Sequence, residues 1–412
     1  MAAIKRSRLP GRWDGLIVFC AGTSWDAARM PDQHMAEQMA RVAPVLYVDP
    51  LISRRAGRRN AVLAASLDGP RLRLIGPSLA RLTPIGPPGT HRPVIRRLSL
   101  ALVRRSLSRA VRALDADVHA TVLAGLQPLF GSAGEKRRVL YGTDDFVAGA
   151  ELMGLPVARL RRLESRILGE ADVVVAVSQT LLDHWARPGR DVRLVPNGVD
   201  YELFAGTDEA ALPEDVTLPP PIAGFIGHLS TRIDVALLEA VAARGHSVLL
   251  VGPRQLTFEL LRMTTLLDRP NVQWVGPKPF ADLPSYMRVI DVGLVPYADS
   301  PFNRASFPLK TLEYLAGGRG AVSTSLPSVL WLDSDLITRA DGPDAFADAT
   351  AAALGSERTP DLVQRRRTFA ARHSWARRAE TFADVLELAP PVDRISDDAE
   401  SPDPAGTPYP AG

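Results

Sequence analysis

The residues best suited to chemistry sit in Asn303–Pro327, NRASFPLKTLEYLAGGRGAVSTSLP, which reads as loop, helix, tight stop and strand. Lys310 and Glu313 fall one turn apart on one helix face, close to the helix start. A helix N-terminus offers free N–H groups and partial positive charge, so it favours a phosphate. A lysine in the first turn strengthens that preference. A glutamate one turn deeper can accept hydrogen bonds from the two hydroxyls of a ribose. The combination is a cradle for a nucleoside diphosphate. The plainer alternative is an ordinary surface salt bridge on an amphipathic helix, a common and weak pair. Lysine usage argues for the cradle: the chain has four lysines, Lys5, Lys136, Lys278 and Lys310, and two lie in the segment read as nucleotide-binding. A compact ammonium acts as a point charge on phosphate.

A second group is acidic. Gly142-Thr143-Asp144-Asp145-Phe146 follows a strand expected at Arg138–Tyr141, so Asp144 and Asp145 stand at a strand's carboxyl end. One of them can orient or deprotonate a hydroxyl, a general-base role worth roughly 10²–10⁴-fold; the alternative is a turn-capping pair. His34, His228 and His246 are scattered, each more readily structural than catalytic, and His228 is the best placed.

These residues need a scaffold. Pro308 suits a first helical turn, Ser306 can cap the amides, and Leu309, Leu312 and Leu315 can bury against a sheet. Gly317 and Gly318 end the helix before a strand at Ala321–Thr324. Upstream, Ile222–Ile226, Val248–Val251, Val272–Val275 and Val292–Val295 read as buried parallel strands. Their carboxyl-end loops, 227–232, 252–254, 276–280 and 297–306, converge on the ligand side of an open sheet. An earlier set begins with the strand Leu16–Cys20, the turn Ala21–Trp25, the helix Gln33–Val42 and the strand Val45–Val48. Arg71–Ile75, Val118–Leu123, Arg138–Tyr141, Val173–Val177 and Val192–Val195 continue it. No G-x-G-x-x-G occurs there, so a dinucleotide site has little support. The expected fold is α/β, two Rossmann-like parallel-sheet domains facing across a cleft. The first covers residues 1–205, a linker 206–221, and the second 222–364. A helical segment at 365–389 returns to the first domain, and 390–412 is a disordered tail.

Length and composition suit two soluble domains: 412 residues, 46% hydrophobic, 23% charged, net charge +3. Cys20 is the one cysteine, which rules out an intrachain disulfide. No apolar run matches a membrane span, and the basic start lacks the apolar stretch of a signal peptide. A cytoplasmic protein is expected. Val94–Leu114 carries an apolar stripe (Ile95, Leu98, Leu102, Val103, Leu107, Val111, Leu114) flanked by Arg96, Arg97, Arg104, Arg105, Arg109 and Arg112. Such a helix can lie on an anionic membrane surface or simply cover a sheet.

Four blocks resemble glycosyltransferase family 4, whose members have the GT-B fold: VVVAVSQTLLDHW…VRLVPNGVDYELF at 173–204, GFIGHLSTRIDVALLEAVA at 224–242, NVQWVGPKPFADLPSYMRVIDVGLVPY at 271–297 and FPLKTLEYLAGGRGAVST at 307–324. SWDAARMPDQHMAEQMA at 24–40 resembles bacterial teichuronic-acid and exopolysaccharide enzymes of that family. The resemblance implies transfer of a sugar from a nucleotide-sugar donor to a glycan or lipid-linked acceptor, retaining and metal-independent. No cofactor and no nucleic-acid partner are expected. By resemblance Glu313 holds the donor ribose, Arg232 and Lys310 meet the diphosphate, and the backbone of the loop 276–280, with Gly276, Lys278 and Phe280, reads the base. Gly22 and Thr23 face donor and acceptor; Gly227, His228 and Asn303 complete the donor side. Asp144, Asp145, Arg232 and Lys310 are the expected catalytic set. Asp115-Ala116-Asp117 and Asp333-Ser334-Asp335 mimic the D-x-D metal motif of the other glycosyltransferase fold, but the first precedes a strand and reads as a turn. One departure stands out: the family's first glutamate is Ala305 here. Asn303 or a backbone group replaces it, sugar choice differs, or activity is lost. The rival readings are therefore an inactive relative that binds a nucleotide or scaffolds at a membrane, and a nucleotide-sugar epimerase.

Overall fold

The computed structural model describes residues 12–388 apart from 54, 56–59, 91 and 153. The tail expected at 390–412 lies outside the described residues.

The apolar run LIVFC needs burial on both faces, and it forms most of the strand Trp13–Cys20 near the centre of an eight-stranded sheet. The strand order is Val192–Leu194, Val173–Ala176, Arg137–Gly142, Ala116–Leu123, Trp13–Cys20, Val45–Val48, Leu79–Leu82, Leu72–Gly76. The edge strand Leu72–Gly76 runs antiparallel to Leu79–Leu82, and the other neighbours are parallel. Leu79–Leu82 was not expected, because Arg81 interrupts its apolar pattern. That arginine is buried in the sheet and its charge is answered by Asp49 at 2.7 Å and Asp26 at 2.8 Å. The second sheet has six parallel strands in the order Val272–Trp274, Ser247–Val251, Ile222–Ile226, Val292–Val295, Gly320–Ser323, Ile337–Arg339.

Carboxyl-end loops of the two sheets meet. Ser178 Oγ donates to the Ala305 carbonyl at 2.5 Å, and Asn197 Nδ2 donates to the Phe307 carbonyl at 3.1 Å. Asn197 belongs to the Pro196–Asp200 turn, whose next residue explains itself sterically. A Cβ on Gly198 would lie 2.7 Å from the Trp375 nitrogen. Only glycine lets the C-terminal chain cross there, where Val199 N–H donates to His373 O and Trp375 N–H to Val199 O, both at 3.0 Å. The helical segment expected at 365–389 is two helices, Pro360–Arg372 and Trp375–Val385; Ser374 caps the second. The second helix lies on the first sheet, with Phe382 edge-on to Tyr141 at 5.2 Å.

The stretch 206–221 is not a free linker. Asp208 accepts from Arg319 at 2.9 Å and Arg367 at 2.7 Å, binding it to the second half. The arginine-rich helix, Pro93–Ala113, buries Val103, Leu107 and Ala110 against its sheet. Leu98 leaves the expected buried stripe and is half exposed, and Arg104 donates to the Pro128 carbonyl at 2.7 Å.

Candidate active site

The Leu309–Ala316 helix is fixed on the second sheet by Tyr314. Its hydroxyl accepts the Ile226 N–H at 2.9 Å and donates to the Gly224 carbonyl at 3.1 Å. This plug sets the helix register, and so sets Glu313 beside it. Glu313 is buried and its Oε2 accepts from Lys310 Nζ at 2.7 Å. Its Oε1 takes no hydrogen bond from any described residue, which leaves one carboxylate edge open to a ligand hydroxyl. Pro308 stands at the N-cap in extended geometry, and no side chain caps this helix. Ser306 therefore does not have the capping role expected of it: its hydroxyl donates to Asn303 O at 3.0 Å and accepts from Arg232. The first-turn amides stay available beside Lys310, as a phosphate site requires.

Arg232 is held on every side. Its Nε donates to Asn303 Oδ1 at 2.9 Å and its Nη2 to Ser306 Oγ at 3.1 Å. The guanidinium also lies 4.9 Å from the Tyr297 ring centroid and 5.1 Å from that of Phe302. Asn303 is fully buried, and its Nδ2 donates to the Arg232 carbonyl at 2.9 Å and the Ala298 carbonyl at 2.8 Å. With both amide protons and its oxygen committed, Asn303 is not a donor-sugar ligand. It does not replace the missing glutamate; it positions Arg232.

The loop 276–280 needs one further correction. Lys278 pairs with Asp215 of the 206–221 stretch and lies 5.0 Å from the Tyr286 ring, so its charge is already answered and is not a free point charge for a phosphate. Phe280 is packed edge-on against His34 at 5.4 Å and Phe204 at 5.8 Å, which fixes the loop against the first half. Gly276, at φ +76°, accepts the Gly252 N–H at 2.8 Å. The Gly227 amide is used on Val251 O at 2.8 Å. His228, in the same loop, has its pKa lowered by burial and by Arg232.

Across the cleft, the loop with Gly22 and Thr23 is organised by a residue the sequence reading passed over. Asp32 Oδ2 accepts the Gly22 and Thr23 amides, each at 3.0 Å. Those two N–H groups are therefore not free for a donor phosphate. Burial pushes the Asp32 carboxyl up to about 6, against the pull of these hydrogen bonds. The two neighbouring acids expected at a strand end divide. Asp145 Oδ1 accepts from Val147 N at 3.0 Å and Ala148 N at 2.8 Å, a turn cap and not a base. Asp144 takes no side-chain hydrogen bond from any described residue and is partly exposed. Burial raises it to about 6; Arg232 opposes this, while Asp145 and Asp32 add to it. A base poised near neutrality suits proton transfer. His34, between the two halves, stacks on Trp375 at 5.2 Å. Burial, Arg29 and Lys310 lower its pKa to about 3, so it stays neutral. Neither Asp32 nor His34 carried a motif that could single it out.

The two acid triplets are structural. Asp115 sits at φ +49° between helix and strand and Asp333 at φ +38° after a helix, while Asp117 pairs with Lys136 and Asp335 with Arg365. Among the described residues no cluster of three metal-ligating side chains occurs.

Two parallel sheets whose carboxyl-end loops face each other, with an uncapped helix start, a lysine and a clamped arginine on one side and carboxylates on the other, define a GT-B protein. Solved GT-B structures superpose over nearly the whole chain. Sucrose-phosphate synthase from Thermosynechococcus elongatus matches at TM-score 0.69 and 17% identity, covering 90% of this chain and 98% of that one. Anabaena HepE, solved with UDP and glucose, matches at 0.62 and 13% identity over 90% and 99%. E. coli OtsA bound to UDP-2-fluoro glucose matches at 0.64 and 12% over 91% and 99%. In sequence, residues 220–356 match the family Glycosyl transferases group 1. TuaH of Bacillus subtilis (strain 168), named as a teichuronic acid biosynthesis glycosyltransferase, is 32% identical over 267 residues, 60% of this chain and 66% of that protein's length. Residues 220–356 are a group 1 glycosyltransferase domain.

Proposed function

We propose that the protein transfers a sugar from a nucleotide-sugar donor to an acceptor hydroxyl in the synthesis of a cell-surface glycan or glycolipid. The observation that carries this reading is the joint placement of Lys310, Glu313 and the clamped Arg232 at the start of one uncapped helix. Nucleoside diphosphate leaves with growing negative charge. Cations and amides already in position stabilise that charge more in the transition state than in the ground state. Lys310, Arg232 and the amides of the helix start answer the diphosphate without a metal, and Glu313 Oε1 accepts from the ribose. Asp144, beside Arg232, takes or orients the acceptor hydroxyl proton. Transfer with retention of configuration follows the resemblance to glycosyltransferase family 4. The acceptor is a glycan or a lipid-linked glycan, and the protein works in the cytoplasm at the inner face of the membrane.

The test is turnover. UDP-, GDP- and dTDP-sugars are incubated with the protein and with acceptor lipid or glycan extracts, and free nucleoside diphosphate is measured with and without EDTA. The reading expects acceptor-dependent release from one donor class, insensitive to EDTA. Donor binding with no release under any acceptor supports the scaffold reading instead, and interconversion of the donor sugar supports the epimerase.

A further inference from the structure

The first half carries an open cavity of about 550 Å³ outside the diphosphate cradle, a volume in the range of small-molecule sites. One wall is the helix Val157–Glu170, which supplies Arg161 and Glu164. A second wall is the end of the helix Gln179–Trp185 and the turn after it, with His184, Trp185, Arg187 and Arg190. Asp145 and Ala148 form a third side, and the short helix Ala148–Ala150 touches Pro301–Ala305 of the second half. The Trp185 ring lies over Gly142, where a Cβ would overlap it. The cavity therefore rests on the strand that leads into Asp144.

Its charge is unbalanced. Among the described residues no acid forms an ion pair with Arg161, Arg187 or Arg190. Arg187 and Arg190 each place one nitrogen on a carbonyl, of Ala186 at 2.6 Å and of Trp185 at 2.7 Å, and their other donors have no described partner. The two carboxylates of the cavity already answer protein groups. Asp145 caps the Val147 and Ala148 amides, and the buried Glu164 accepts from the Trp185 indole at 3.3 Å while burial raises its pKa. Three guanidiniums without a free acid make a place for a carboxylate or a phosphate, the anions that the arginine fork fits. We propose that this cavity is an accessory subsite for the acceptor, taking a sugar unit that carries an anionic group, a carboxylate or a phosphate.

The position gives the subsite a use. Asp145 is one of its walls, while Asp144, the residue before it, lies outside the walls and within the field of Arg232. The loop 143–148 thus stands between cavity and cleft, and an acceptor anchored by its charged unit extends across that loop toward Asp144. The role as acceptor subsite rests on the proposed transfer activity, whereas the cavity's preference for an anionic sugar is measured without donor and without turnover.

The test is calorimetric titration of the full chain with trigalacturonate, glucose 6-phosphate and neutral maltotriose, each repeated in a saturating mixture of UDP, GDP and dTDP. One or both anionic sugars should bind, maltotriose should not, and the nucleotides should not displace what binds. Which anionic sugar binds tells carboxylate from phosphate. Each partly exposed ion pair is worth up to about fivefold, so Arg161→Gln with Arg187→Gln should weaken binding roughly 5- to 25-fold. Both positions are exposed, so the melting curve and nucleotide affinity should stay parental. Arg339→Glu, exposed on the other half, serves as the control and should bind as the parent does. In the transfer assay with an anionic acceptor, the glutamine pair should raise the acceptor KM and leave kcat unchanged. No binding of either anionic sugar, equal binding of maltotriose, displacement by nucleotide, or parental binding by Arg161→Gln/Arg187→Gln overturns the proposal. Anionic-sugar binding without turnover supports the cavity and counts against the transfer reading; turnover without anionic-sugar binding does the reverse.

Discussion

The two halves of the cleft are built by opposite means. On the second half the charges are cations whose partners fix them: Arg232 by Asn303, Ser306 and two aromatic rings, and Lys310 by Glu313. On the first half they are carboxylates that burial pushes toward neutrality, Asp32 and Asp144, each to about 6. Fixed cations suit a ligand of constant charge, such as a nucleoside diphosphate. Carboxylates near neutrality suit a group that gives up a proton. The contrast supports the proposed placing of donor on the second half and acceptor on the first.

The largest effect should come from Arg232. Arg232→Ala is expected to lower kcat roughly 10²–10³-fold, as loss of one preorganised charge donor does elsewhere. Asn303→Ala should lower it roughly 10–100-fold, the worth of a hydrogen bond to a charged group, with KM for the donor little changed. In the double variant the second change should add almost nothing, because Asn303 acts through Arg232. Additive losses would mean that Asn303 has its own contact with substrate, and that the cation clamp is not what distinguishes this half.

The carboxylate half is tested by pH. A carboxyl raised from its ordinary 3.8 to about 6 binds more protons folded than unfolded. Its favourable contribution is complete below pH 4 and is lost as pH rises through 6. Asp144→Asn removes the charge penalty, so it should melt roughly a few degrees above the parent at pH 7.5 and level with it at pH 4. The same variant should lose the acidic limb of the pH–rate profile near 6. An absent gap would place Asp144 in an ordinary exposed environment, and a gap reversed in sign would mean a carboxylate held ionised by its surroundings; either contradicts the raised pKa.

What the sequence disclosed follows from range. Val173–Ala176 and Val292–Val295 are unbroken apolar runs, legible as buried strands; Lys310 and Glu313 are three residues apart, so helical spacing alone paired them. Arg232 and Asn303 are 71 residues apart, and their contact exists only once two loops of one sheet converge. Asp32 was passed over because its partners are backbone amides, which no side-chain motif records. Lys278 was misread for the same reason as Arg81: the acid that neutralises it, Asp215, lies 63 residues away. The smallest expected effect follows from that. Lys278→Ala should change donor affinity by less than roughly twofold, since its charge is already paired with Asp215 and such an ion pair is worth little. A tenfold loss on titration with nucleotide would return Lys278 to the phosphate site.

The most direct measurement is calorimetric titration of UDP, GDP and dTDP into the parent and into Glu313→Ala. Glu313 presents one open carboxylate oxygen beside Lys310 at the start of an uncapped helix. Loss of a charged acceptor costs on the order of 1.5–3 kcal/mol. The parent should bind one of the three nucleotides, and Glu313→Ala should bind it roughly 10–150-fold more weakly while keeping the parental melting profile without ligand. Equal affinity in parent and variant would contradict the account, because the ribose would then be held elsewhere and the Lys310–Glu313 pair would be only a salt bridge.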